Sequence, residues 1–348
     1  MYDINELLTL ATQQNASDIF ITVGVPPIMK IDNRIEKMGE ERITSETVKS
    51  IVLPMFASKE KFAEFLINKG ADFSYSIKGV GRFRVSAFFQ RGSVAVTVRI
   101  VRFKLPDPVK LGIPQAVLDA YKYKSGLVLI TGPSGSGKST TLASIINLIN
   151  ENRQGHILTI EDPIEYLHPH KNCIVNQREV NMDCSSYADA LRVSLRQAPD
   201  VIFIGEMRDL DTISVAITAA ETGHFVLSTL HTKGAANSID RMVDVFDPAQ
   251  QQQIRLQLSS VLKLVVSQQL VATVGGGLVA AFEIMIVNNA IRNLIREGKT
   301  HQINMMLQNG QNEGMLTMNA SLKSLYLNGI IDESTLAESR FGTELSIV

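Results

Sequence analysis

The sequence predicts an α/β protein of two domains, a smaller mixed one followed by a larger one built on a covered, mostly parallel sheet. Three observations carry this. The chain has 348 residues, which at about 150 residues per domain suggests two domains or three. In the larger part, apolar strands alternate with helical segments, the pattern of a parallel sheet with helices on both faces. Between the parts, Leu105-Pro106-Asp107-Pro108 and Gly112-Ile113-Pro114 place three prolines in nine positions, which neither a helix nor a central strand tolerates. We therefore expect an N-terminal domain over 1–104, a linker over 105–114 and the larger domain over 115–348.

In the first domain, Asp18–Gly24 and Ile28–Met38 read as strands. Ser45–Phe56 and Ser58–Asn68 read as helices, the second stopped by Gly70. A hairpin follows, Gly81–Gln90 and Ser93–Arg102 around a turn at Arg91-Gly92. Beyond the linker, strands at Gly126–Thr131, Ile157–Ile160, Val201–Ile204 and Phe225–Thr229 alternate with helices starting at Gly137, Ser185 and Leu210. Leu270–Val274 and Leu278–Ile286 read as two strands around the turn Gly275-Gly276-Gly277.

Composition sets limits. With 45% hydrophobic and 20% charged residues the chain can bury a full core. Its formal net charge of -1, from 34 basic and 35 acidic residues, argues against a general nucleic-acid-coating protein. Cys173 and Cys184 are too few for a disulfide scaffold or a four-cysteine zinc site. The N-terminus, Met1-Tyr2-Asp3-Ile4-Asn5-Glu6, is acidic where a secretory signal is basic. Gln268–Asn289 is the longest weakly charged stretch, but its three glycines and Glu283 interrupt it, whereas a membrane helix needs about 20 apolar residues. These features lead us to expect a cytoplasmic protein.

The strongest chemical signal is Gly132-Pro133-Ser134-Gly135-Ser136-Gly137-Lys138-Ser139, which fits G-x-x-x-x-G-K-[ST] without a mismatch. It follows the apolar strand Leu127-Val128-Leu129-Ile130 and opens the helical run Thr140–Ile149, the context that marks a P-loop. Glycines let backbone N–H groups turn around a phosphate, and the helix N-terminus adds partial positive charge. Lys138 supplies a point charge for the β- and γ-phosphates of ATP, and the Ser139 hydroxyl can join a Mg²⁺ shell.

Two groups of carboxylates follow neighbouring strands. Val201–Ile204 runs into Gly205-Glu206, with glycine where a Walker B strand usually carries aspartate. Glu206 at the tip can orient water or hold Mg²⁺ through water; the plainer alternative is an ordinary strand-end acid. Glu161-Asp162-Pro163-Ile164-Glu165 follows Ile157–Ile160 and is either a solvated loop or part of the ligand crevice at the strand ends. His224 and His231 bracket the strand Phe225–Leu230. The strand lies in the P-loop sheet, so its end can reach the γ-phosphate, although no third ligand makes the pair a metal site.

No acid occurs between Asp72 and Asp107, while Lys78, Arg82, Arg84, Arg91, Arg99, Arg102 and Lys104 all do. If Arg91 and Gly92 form the two-residue turn, Arg84 faces Arg99 across the ladder. Like charges there are destabilising unless an anion sits nearby. The candidates are nucleic acid or the ATP of a neighbouring subunit, reached by arginine fingers. A nucleic-acid strip usually interleaves exposed aromatics, whereas Phe83, Phe88 and Phe89 can be core. The plainer alternative is a solvated basic face.

Together these motifs resemble one family, the type II/type IV secretion ATPases, and within it the PilT-type retraction motors of type IV pili. The matching segments are the P-loop Gly132–Thr140, an aspartate box at Thr159–Glu165, a Walker B motif at Ile204–Asp209, and a histidine box from Thr222-Gly223-His224 to Leu230-His231-Thr232. Their order and spacing match over essentially the whole chain. The resemblance implies a RecA-like ATPase domain preceded by a smaller PAS-like α+β domain, with a C-terminal helical region. It also implies a homohexamer with ATP between subunits, working on an inner-membrane pilus platform protein from the cytoplasmic face without direct nucleic-acid binding. Glu206 and Glu165 would serve catalysis, with His231 beside them, and Arg84 and Arg99 would reach an adjacent subunit's nucleotide. Retraction motors carry AIRNLIRE, here Ala290–Glu297; taken alone it is an amphipathic helix with Ala290, Ile291, Leu294 and Ile295 on its apolar face. The four-cysteine insertion of many assembly-type relatives is absent, which favours retraction over extension. The accessory PilU-type motor is the near alternative. A helicase or recombinase-like ATPase is the alternative from another class, and a non-hydrolysing scaffold is opposed by the intact Lys138, Ser139 and Glu206.

Overall fold

The computed structural model describes residues 2–31, 34–101 and 105–340. The chain divides into two compact units, Met1–Lys104 with Pro163–Leu167, and Leu105–Asp162 with His168–Val348.

The first unit opens with a helix, Ile4–Gln13, that the sequence reading missed. Asp3 caps it, accepting from the N–H groups of Asn5 and Glu6, and Ile4, Leu7, Leu8 and Ala11 form its buried stripe. Six antiparallel strands follow: β1 Asp18–Ile21, β2 Ile28–Ile31, β3 Arg34–Lys37, β4 Gly70–Ile77, β5 Gly81–Gln90 and β6 Ser93–Val101. Their order is β3-β2-β1-β6-β5-β4. The expected single strand Ile28–Met38 is two strands, with Ile31 paired to Arg34. The expected helix Ser45–Phe56 stops at Val52 and tightens into a 3₁₀ turn at Leu53–Met55. Pro54 lacks the N–H that would continue the helix. The next helix, Lys59–Asn68, ends on Lys69 in the left-handed region (φ 60°) and hands over to β4, also missed. Ile19, Phe83, Val85, Val96 and Val98 are fully buried in this unit's core.

The β5–β6 hairpin has the expected register. Gln90 pairs with Ser93, so Arg91 (φ 47°) and Gly92 (φ 79°) are the turn, and Arg84 faces Arg99. Positive φ at both turn positions matches the right-handed strand twist, which is why a two-residue turn closes here.

The second unit is built on a sheet ordered β13-β12-β7-β11-β10-β8-β9. The strands are β7 Gly126–Thr131, β8 Gly155–Glu161, β9 Cys173–Glu179, β10 Val201–Ile204, β11 Phe225–Leu230, β12 Leu262–Ala272 and β13 Leu278–Ile286. All neighbours are parallel except β12 and β13. Alternate residues feed two cores. Leu127, Leu129, Ile202, Ile204 and Val226 point to one, and Val128, Ile130, Val201, Phe203 and Leu227 to the other. A sheet covered on both faces has no polar side, hence the near-continuous apolar strands.

Several elements of this unit were not read from the sequence, among them β9 and the helices Gln115–Leu118, Ala235–Asp244, Pro248–Val261, Ile303–Asn309, Met318–Leu327 and Glu333–Ser339. β12 also begins eight residues before the expected Leu270, at Leu262. The AIRNLIRE helix spans Asn289–Arg296, with Ile291 and Ile295 fully buried and Leu294 half-buried. Ala290 is exposed, so the apolar face is narrower than expected. No described helix is long and apolar enough to cross a membrane.

Candidate nucleotide site

β7 ends at Thr131, and the P-loop turns directly into the helix Lys138–Asn152. Gly132 (φ 141°), Gly135 (φ 77°) and Gly137 (φ 87°) take backbone conformations that side chains disfavour. Two of them also have no room. A Cβ at Gly132 would lie 2.1 Å from the Gln268 carbonyl oxygen, and one at Gly137 would lie 2.8 Å from Gln268 Nε2. Gln268, buried on β12, thus presses against both ends of the loop and accepts from Thr141 Oγ1 at 2.7 Å. No local motif points to this residue.

Lys138 is buried, and its Nζ donates to the carbonyls of Gly132 and Pro133, both at 2.9 Å. Ser136 Oγ and Thr131 Oγ1 are buried without a hydrogen-bond partner among the described residues. Buried hydroxyls without partners are costly. The orphaned Ser136 hydroxyl, a buried ammonium and an N-terminal helix turn together fit a phosphate chain. Ser139 and Thr140, half-buried, begin the same helix.

Glu206 and His231 meet at the strand ends. His231 Nε2 lies 2.9 Å from Glu206 Oε1, and Arg208 binds Glu206 Oε2 at 2.7 Å. The other imidazole nitrogen, Nδ1, lies 3.4 Å from the Ser134 hydroxyl. His231 therefore bridges the P-loop and the Walker B carboxylate. Burial pushes the Glu206 carboxyl up, but the hydrogen bond from Arg208 and the charge of His231 outweigh it and hold the group below its usual range. His224 instead closes a helix end, with Nδ1 near the Ala219 carbonyl and Thr222 Oγ1.

Gly205, in the usual aspartate position, has a physical reason. A Cβ there would lie 2.9 Å from the Tyr187 hydroxyl and 3.3 Å from Glu161 Cα. Burial pushes the Tyr187 phenol up, and the nearby charges of Asp162, Glu206 and Glu161 add to it. Glu161 itself is buried, accepting from Thr159 Oγ1 and Gln177 Nε2. Tyr187 and Arg208 were not singled out by the sequence reading.

The remaining predicted residues gather in the first unit. Arg84, Arg99 and Glu165 line one cavity of about 250 Å³ with Ile100, Val101 and Tyr166. The like-charge pair has a partner that the sequence did not suggest. Asp18, facing Arg99 from β1, accepts from Arg99 Nε at 3.0 Å. The anion sought beside the arginines is thus in part a carboxylate of the same unit. Arg99 remains largely exposed, so the pair contributes little stability. Phe83 is core whereas Phe88 is exposed. Arg102 and Lys104 of the basic stripe lie outside the described residues.

Residues 1–281 match the family described as Type II/IV secretion system protein. The chain is similar to the type IV pilus retractation ATPase PilT of Pseudomonas aeruginosa, at 44% identity over 338 residues and 97% of each chain. It is similar to the type IV pilus ATPase PilU of the same organism at 38% identity, covering 99% of this chain and 91% of the relative. Among solved structures it resembles the pilus retraction motor PilT with bound ADP, with a TM-score of 0.91, 45% identity and coverage of 99% and 98%. With a family match over most of its length and relatives alike end to end, the chain belongs to the Type II/IV secretion system protein family.

Proposed function

We propose that this chain is the ATP-hydrolysing motor of type IV pilus retraction. It acts as a homohexamer on an inner-membrane pilus platform protein, at the cytoplasmic face of the membrane. The observation that carries the chemistry is His231, held between Ser134 of the P-loop and Glu206. An imidazole so placed couples the loop around the γ-phosphate to the carboxylate that handles water. The likeness to retraction ATPases, higher for PilT than for PilU, supports the direction of force.

ATP binds along Gly132–Thr140. Lys138 exchanges its two carbonyl partners for β- and γ-phosphate oxygens, and the Ser136 hydroxyl gains its missing partner. Ser139, with Glu206 through water, would hold Mg²⁺, which when bound neutralises charge on the β- and γ-phosphates. Water attacks the γ-phosphorus as its proton passes to a carboxylate, and the bond to the ADP oxygen breaks. Glu206 takes that proton after releasing Arg208 or His231; Glu165 is the other candidate. Arg84 and Arg99 of the adjacent subunit stabilise charge developing on the γ-phosphate. Rotation of the first unit against the second then moves the partner.

Glu206→Gln should retain ATP binding and lose about a hundredfold or more in phosphate release. Most of the wild-type rate in that variant would transfer the base to Glu165, which Glu165→Gln tests in the same assay. Deleting the gene and scoring piliation tests the cellular role. Excess pili without surface movement means retraction, whereas loss of pili means extension.

A further inference from the structure

We propose that Ser267 and Glu283 are a positioning pair that sets the place of His231, and through it of the Glu206 carboxylate. The two residues face each other in register on β12 and β13, and both are buried. The Gly234 N–H donates to Ser267 Oγ at 2.9 Å, and the Ala235 N–H donates to Glu283 Oε1 at 2.7 Å.

These N–H groups belong to the start of the helix Ala235–Asp244, whose N-cap residue, Gly234, makes no side-chain cap. The first N–H groups of a helix have no partner within it and are usually capped by a nearby Ser, Thr, Asp or Asn. Here the cap comes from a distant hairpin, and Glu283 also brings negative charge to the positive helix end. A Cβ at Gly234 would lie 3.7 Å from Glu283 Oε1, and Gly234 has φ 86°. The loop is closed further by Thr232 Oγ1 on Ser238 Oγ and by Ser238 Oγ donating to the Gly234 carbonyl, both at 2.7 Å.

Only His231, Thr232 and Lys233 lie between the end of β11 and this anchored point. With both ends pinned, the imidazole has little freedom to leave Ser134 and Glu206. The next residue on β12, Gln268, holds the P-loop. One stretch of strand therefore registers the histidine loop and the phosphate loop against each other. Glu283 accepts from the Met318 N–H as well, so the start of the helix Met318–Leu327 joins the same anchor. A carboxylate buried beside β-strands is expensive. Holding two helix starts around the histidine loop gives it a use that an apolar residue could not supply.

The proposal rests on the roles given above to His231 and Glu206. Its test is a double-mutant cycle on the full-length protein, measuring kcat and KM for ATP hydrolysis with thermal unfolding alongside. Glu283→Ala should lower kcat about tenfold and leave KM within about twofold, because the P-loop keeps Gln268. Ser267→Ala, which removes one hydroxyl and is the smaller change, should lower kcat about threefold in the same way. In a His231→Ala background neither change should cost more than about twofold further. The same losses in that background, or a rise in KM at unchanged kcat, would overturn the positioning role. If His231→Ala itself leaves kcat at the wild-type value, the failure lies in the assignment of His231.

Discussion

Adding a single methyl group at Gly205 tests why this Walker B strand lacks its usual aspartate. A Cβ built there lies 2.9 Å from the Tyr187 hydroxyl, and 3.3 Å from both Glu161 Cα and the Ile160 carbonyl oxygen. Ordinary contact is about 3.5 Å, so the closest approach is short by about 0.6 Å. Backbone cannot yield easily here, because the Gly205 N–H donates to the Ile160 carbonyl and its own carbonyl accepts from Thr229 Oγ1. Overpacking of this kind costs about 1–3 kcal/mol. At about 2–4 °C per kcal/mol in a domain of this size, Gly205→Ala should lower Tm by about 5 °C. It should also lower kcat about tenfold by displacing the adjacent Glu206. Tyr187→Phe removes the nearest atom and leaves the two 3.3 Å contacts. In that background the same methyl should cost less than half as much in Tm. Thermal unfolding and phosphate release on the four proteins complete the cycle. An unchanged Tm and full turnover for Gly205→Ala would refute steric exclusion as the reason for glycine.

Other expectations follow from the same geometry. Arg208→Ala removes a hydrogen bond that holds the Glu206 carboxyl down, so the acidic limb of the kcat–pH profile should move to higher pH; a limb that stays in place separates Glu206 from the base. His168 is buried, and desolvation lowers its imidazole to about 4 from 6.5. The unfolded chain binds the extra proton between these values, so stability should be full above about 6.5 and fall as pH drops towards 4, by about 3 kcal/mol in all. His168→Gln should flatten that slope in denaturant titrations. Hydrolysis in a mixture of Arg84→Ala and Lys138→Ala subunits should exceed that of either alone if Arg84 acts on a neighbour's nucleotide, and no gain would place its action elsewhere.

The parts of the fold legible in the sequence are those whose causes are local. The P-loop could be read because its glycines, lysine and flanking strand are contiguous. The Arg84–Arg99 pairing could be read because a two-residue turn fixes register over the whole hairpin. Asp18 could not be read as the partner of Arg99, since it reaches that arginine from the far side of β6 by strand order alone. Nor could the grouping of Glu165 with Arg84 and Arg99. In the sequence Glu165 sits in the aspartate box with Glu161 and Asp162, yet Pro163–Leu167 belongs to the first unit. A motif's spacing says which residues travel together along the chain, and it is silent on which unit they pack with.

The misplaced start of β12 has a more specific cause. Its pattern weakens at Lys263 and again at Ser267-Gln268-Gln269, where a strand covered on both faces should be apolar. Ser267 and Gln268 are nevertheless buried. Each of the two spends its polar group on a loop, Ser267 on the N–H of Gly234 and Gln268 on Thr141 behind the P-loop. Hydrophobic periodicity fails where a strand stops serving only the core and begins holding the site. Glu283, beside Ser267 on β13, broke the apolar pattern of Gln268–Asn289 for the same reason. Ser267 and Gln268, which hid the start of β12, and Glu283 opposite Ser267 are the residues that fix the P-loop and the His231 loop in a common frame.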